Sequence, residues 1–158
     1  MTFDLSLLNP YPSYNKTNEI VFQTEQGNSF EIYFSEGDAY FEGYEFAPFV
    51  KVFGFRQLQT LTTKVQTQRV AETIVYHLAD FLQDERNISV YICNQSDNRQ
   101  LYRKRLFDRW YKYYASEDFI KFDFDFDSPL FLSIITQKKN PYLQEFQESL
   151  PKVGGMYK

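Results

Sequence analysis

The sequence predicts an α+β fold, a mainly antiparallel sheet of about six strands in the order β-β-β-α-β-α-β-β-α, with helices packed chiefly on one face. Three observations carry that expectation. Apolar residues alternate with period two in the first third of the chain, the period changes to that of a helix between Lys64 and Gln83, and aromatics make up 20% of the residues. Each ring buries a large area and prefers offset or edge-to-face neighbours, which suits sheet faces covered by helices.

The first 18 residues, with Pro10 and Pro12, read as an irregular arm. Ile20–Thr24 and Phe30–Phe34 each repeat one face every second residue, and Glu25-Gln26-Gly27-Asn28 between them signals a turn, so the pair forms a hairpin. After a Gly-containing stretch from Glu36 to Pro48, Phe49–Phe55 reads as a third strand, with Gly54 weakening its end or marking a bulge. From Lys64 to Gln83, Val70, Ala71, Ile74, Leu78, Phe81 and Leu82 share one side of a helix. Ile88–Cys93 is a short apolar strand, and Asn94-Gln95-Ser96-Asp97 supplies helix N-cap residues before a second helix that ends near Ala115. Phe119–Asp127 alternates again, and Ser128-Pro129 separates it from an apolar strand over Leu130–Thr136. Asn140-Pro141 opens a last helix, expected to stop before Pro151 because proline is disfavoured inside helices.

At 158 residues the chain fits one domain spanning 1–158, able to bury about 70% of its unfolded surface without a staple. The lone Cys93 excludes an internal disulfide, and one Cys with one His is a poor start for zinc, so neither metal nor other cofactor is expected. The N-terminus lacks the pattern of a signal peptide and no uncharged apolar run reaches a membrane span, which points to a cytoplasmic protein without membrane contact. The glycines are scattered, so no phosphate-binding loop is present.

Net charge is −4, yet Asp97–Tyr114 holds six basic residues (Arg99, Arg103, Lys104, Arg105, Arg109, Lys112) against Asp97 and Asp108. At about 100° per residue, Tyr102, Leu106, Trp110 and Tyr113 form an inward stripe, with Phe107 and Tyr114 at its border. Arg99 and Arg103 fall inside that stripe, where a charge must reach solvent, stack on a ring or pair with an acid. Two outcomes follow. Either Arg99, Arg103 and Ser96 make an anion site at the helix start, or carboxylates from neighbouring strands anchor both arginines. On the outer side, Leu101 and Tyr111 stand as exposed anchors among Arg105, Arg109 and Lys112.

The segments Val90-Tyr91-Ile92-Cys93, Asp97-x-Arg99, Arg103-x-Arg105, Phe107-x-x-Trp110-Tyr111 and Lys139-Asn140-Pro141 resemble an uncharacterised family of small single-domain bacterial proteins. The likeness extends to the hairpin turn Thr24–Gly27. It implies a bacterial origin and carries over no catalytic residue.

Other candidates have plainer readings. In Phe122–Asp127 a strand buries the phenylalanines and presents Asp123, Asp125 and Asp127 to solvent, about 7 Å apart and poorly spaced for one small ion. His77 reads as a half-exposed packing histidine and Cys93 as a small core residue. The resulting expectation is a non-enzymatic binding module that presents a basic aromatic helix, or a sheet edge, to a protein partner, nucleic acid being disfavoured. The alternative is an enzyme or binder of a phosphate-bearing ligand such as RNA, acting through Arg99 and Arg103, with His77 or a tyrosine moving a proton.

Overall fold

The computed structural model describes residues 5–59, 67–93, 100–125 and 131–154. Seven strands form one sheet: β1 (Ser13–Lys16), β2 (Glu19–Gln23), β3 (Ser29–Glu36), β4 (Val50–Gln59), β5 (Ile88–Cys93), β6 (Phe119–Asp125) and β7 (Phe131–Gln137). Their spatial order is β1-β2-β3-β4-β5-β7-β6. Only β4 and β5 run parallel among these pairs, and the crossover that parallel pairing requires contains helix α1 (Thr67–Phe81). Helices α2 (Gln100–Tyr114) and α3 (Leu143–Gly154) complete the fold.

The α+β class holds, with seven strands where six are expected. The extra strand is β1, inside the arm read as irregular. All four of its residues are exposed, so no apolar alternation announces it. It pairs with β2, and the arm just before it is held by α1. Tyr11 N–H donates to Thr73 Oγ1 of α1 at 2.9 Å, and Arg69 donates to the Asn9 and Pro10 carbonyls at 3.1 and 3.4 Å. Strand β4 continues past Gly54 to Gln59, and the register irregularity lies at Ser29/Phe30 instead. Gly54 faces Tyr33 across the strands, and a Cβ there would stand 2.1 Å from the tyrosine ring, so glycine makes room for that ring. Helix α3 runs through Pro151 to Gly154 rather than stopping short. The acceptor that proline leaves unbonded is the carbonyl of Gln147, an exposed residue that water can reach.

Alternation sorts the core onto both faces of the sheet. On one, Phe22, Phe30, Ile32, Phe53, Tyr91 and Ile135 pack against Val70, Ile74 and Leu78 of α1 and Phe107 of α2. On the other, Val50, Ile88, Val90, Leu132 and Ile134 pack against Phe146 and Leu150 of α3, together with Phe41 and Phe46 from the 3₁₀ segments Asp38–Phe41 and Ala47–Phe49. Two of the three helices thus share a face, and α3 covers the opposite one.

Candidate functional site

Helix α2 has two unlike sides. Phe107 is buried, 4.4 Å from the Tyr91 ring and 6.1 Å from Phe53, while half-buried Trp110 lies 5.4 Å from Phe55. Tyr111 and Trp110 both pack on the core. Tyr113, expected inward, is 76% exposed. The inward stripe is therefore displaced by one residue, about 100° of helix rotation, so that Phe107, Tyr111 and Tyr114 replace Leu106, Trp110 and Tyr113 at its centre. The correction has a second consequence: Tyr111 is half-buried against the core rather than exposed, and the exposed ring is that of Tyr113.

The charged residues of α2 divide in the same way. On the border facing β6, Asp108 lies 2.9 Å from Lys104 Nζ and 2.6 Å from Lys121 Nζ. The Lys121 side chain, only 8% exposed, also reaches Asp123 at 2.5 Å, and Ser133 Oγ donates to Asp123 at 2.7 Å. Burial pushes the Asp108 carboxyl upward, but the hydrogen bonds from Lys121 and Lys104 outweigh it and hold the group below its usual range. Burial raises the neighbouring Tyr111 hydroxyl, with Asp123 adding to the shift. On the outward side stand Arg105, Arg109 and Lys112, all exposed and without an ion pair among the described residues. Spacings of four and three residues place them on one stripe, with Tyr113 next to Lys112.

Between α1, α2 and the sheet lies an apolar cleft with a cavity volume of about 50 Å³, walled by residues including Leu78, Leu82, Phe107, Trp110, Tyr111 and Tyr114. His77 does not line it. That imidazole is half-buried, with its pKa lowered by burial and partly restored by Asp80. Its Nε2 lies 3.2 Å from Ser13 Oγ on β1, a contact without any local sequence signal because the two residues are 64 positions apart. Among the described residues no carboxylate hydrogen-bonds the other ring nitrogen, so the pair fastens β1 to α1 and lacks the third group that orients a nucleophile's base.

Residues 66–152 match the model of a family of unknown function, DUF6169. The chain belongs to this family. No curated protein matches it. The DUF6169 match covers more than half of the chain and holds α1, β5, α2, β6 and β7 with nearly all of α3, whereas the hairpin turn Thr24–Gly27 precedes it. Within the family segment, the Lys139-Asn140-Pro141 motif has a structural use. Asn140 Nδ2 donates to Thr136 Oγ1 at 2.8 Å, Thr136 Oγ1 donates to the Asn87 carbonyl at 2.8 Å, and Gln137 Nε2 donates to the Leu82 carbonyl at 2.6 Å. These bonds tie the end of β7 to the turn after α1, and they satisfy side chains that would otherwise be costly to bury.

The sequence-predicted anion site falls on Ser96 and Arg99, which lie outside the described residues, and on Arg103, whose backbone is in α2 but whose side chain also lies outside them. The same holds for Leu101 and Cys93. Of the acidic ladder, Asp123 engages Lys121 and Ser133, while the Asp125 side chain and Asp127 lie outside the described residues. Among the described residues no helix is long and apolar enough to cross a membrane.

Proposed function

We propose that this protein is a non-enzymatic binding module that docks an acidic protein segment on the outward face of α2. The single observation that carries this reading is the stripe of Arg105, Arg109 and Lys112, exposed and without an ion pair among the described residues, beside Tyr113 at 76% exposure. Asp108, the acid of this helix that could have neutralised the stripe, is engaged by Lys104 and Lys121 instead. An acidic segment supplies the missing countercharges, and Tyr113 offers an amphipathic ring of the kind enriched at interfaces. A protein segment fits better than single-stranded nucleic acid because Phe107, Trp110 and Tyr111 pack toward the core, leaving one tyrosine rather than a stacking platform.

The test is fluorescence anisotropy with a labelled poly-glutamate peptide and, in parallel, a labelled oligouridylate. The wild type binds the peptide more tightly than the RNA. The triple variant Arg105→Ser/Arg109→Ser/Lys112→Ser weakens peptide binding about tenfold, the sum of three exposed ion pairs at roughly 0.5 kcal/mol each. Tighter RNA binding, or peptide binding that survives the triple variant, overturns the reading.

A further inference from the structure

The acidic segment that the stripe fits is present in this chain. Between Glu36 and Glu45 the sequence carries Glu36, Asp38, Glu42 and Glu45 and no basic residue. Phe41 and Phe46 turn into the core, which leaves the four acids exposed around them. Glu36 is paired with Lys51. Asp38, Glu42 and Glu45 have no ion pair among the described residues. Three uncompensated acids on one loop therefore match three uncompensated cations on α2.

The two patches cannot meet within one molecule. The acidic loop is seated by Phe41 and Phe46 on the sheet face that α3 covers, while α2 is seated by Phe107 on the other. The sheet separates them. They can meet only between copies, and each copy then offers one patch of each kind.

We propose that the partner of the basic stripe is a second copy of this chain, docking its Asp38–Glu45 loop on Arg105, Arg109 and Lys112. This rests on the reading of α2 as a docking face for an acidic segment, and it names the source of that segment. The stripe from Arg105 to Lys112 extends about 10 Å along the helix, a span that a loop of eight residues can cover. Because two different patches meet, the contact is heterologous, and because they lie on opposite faces, each added copy leaves both kinds of patch exposed at the ends. The assembly grows as an open chain. Contacts between exposed charges are screened by salt, so growth is favoured by low ionic strength and by high protein concentration.

The experiment is sedimentation velocity on the full chain at low and high salt, with two neutralised variants. Wild type at low salt sediments with a mass that rises with concentration beyond two chains, and high salt returns it to a single chain. Arg105→Ser/Arg109→Ser/Lys112→Ser and Asp38→Asn/Glu42→Gln/Glu45→Gln are each monomeric alone. Mixed, they form a dimer with one of each and nothing larger, because each supplies the one patch the other lacks. All substitutions are at exposed positions, and circular dichroism of each variant verifies the fold. A wild type that stays monomeric at low salt overturns the proposal, as does self-association that either variant retains. Poly-glutamate binding separates the two readings: a monomeric wild type that still binds the peptide through the stripe removes the second copy as partner and leaves the docking face standing, whereas failure to bind removes both.

Discussion

Arginines on α1 and α2 have opposite fates. Arg69 on α1 lies 4.1 Å from the centre of the Tyr11 ring, pairs with Glu25 at 2.8 Å and donates to two carbonyls of the arm. Tyr11 in turn donates to Glu25 at 2.7 Å, and burial together with that hydrogen bond pushes its hydroxyl up to about 12. Each of the three guanidinium nitrogens of Arg69 thereby donates within this chain. Arg105 and Arg109 on α2 have no such ring or acid among the described residues and stand in solvent. The difference separates an arginine that builds the fold from one that is available to a partner, and only the local geometry distinguishes them.

The largest effect is expected on the inward side of α2, where the helix is held. Phe107→Ala removes a buried ring that touches Tyr91 and Phe53, and a loss of about 3 to 5 kcal/mol is expected in denaturant titration. A loss below about 1 kcal/mol would return the helix to the register centred on Leu106 and Tyr113. Next in size is Arg69→Ala, which leaves Glu25 without its cation and frees the arm, at a cost of roughly 2 kcal/mol. Faster proteolysis within residues 5–16 should accompany it. A stable variant with an arm as protected as in the wild type would dissolve the contrast between the two helices.

The parts of the fold legible in sequence are those whose signal is local. The β2–β3 hairpin is readable because Ile20 and Phe22, then Phe30, Ile32 and Phe34, recur every second position on one face on either side of a Gly27 turn, and Gly27 does adopt a φ of 84°. Strand β1 is illegible because all its residues are exposed, and the contacts that hold it and the arm before it come from about sixty positions away: His77 meets Ser13, while Thr73 and Arg69 bond Tyr11 and Asn9 just ahead of the strand. The register of α2 is misread by one residue for a different reason. Its sequence is aromatic on adjacent stripes, so periodicity alone cannot choose between Trp110 with Tyr113 and Tyr111 with Tyr114. What decides is Lys121 on β6, which takes Asp108 and Asp123 as partners and draws that border of the helix to the sheet. Of the candidate site, Arg105, Arg109 and Lys112 are readable as a solvated basic face; the exposure of Tyr113 in place of Tyr111 is not.

A smaller effect tests the arm through pH. Burial holds the His77 imidazole below its ordinary value, with Asp80 opposing, so the folded state favours the neutral ring. A group whose folded pKa is lowered contributes its stability above the unfolded value of about 6.5 and loses it as the pH falls through the folded value. The melting temperature of the wild type should therefore fall on acidification below about pH 6.5 more steeply than that of His77→Gln. Equal slopes in the two proteins would detach His77 from the fastening of β1.

The smallest expected effect is the most discriminating. Arg105→Ala with Arg109→Ala removes two guanidiniums that have no ion pair among the described residues, so no buried acid is stranded and no cavity opens. Exposed substitutions of this kind change stability by no more than about 0.5 kcal/mol in either direction. Removing like charges spaced four residues apart even relieves a small repulsion within the helix. Denaturant titration at high salt, where any association between copies is screened, isolates this term from binding. A loss above about 1 kcal/mol there would place Arg105 and Arg109 beside Arg69 as builders of the fold, and the contrast between the two helices would vanish.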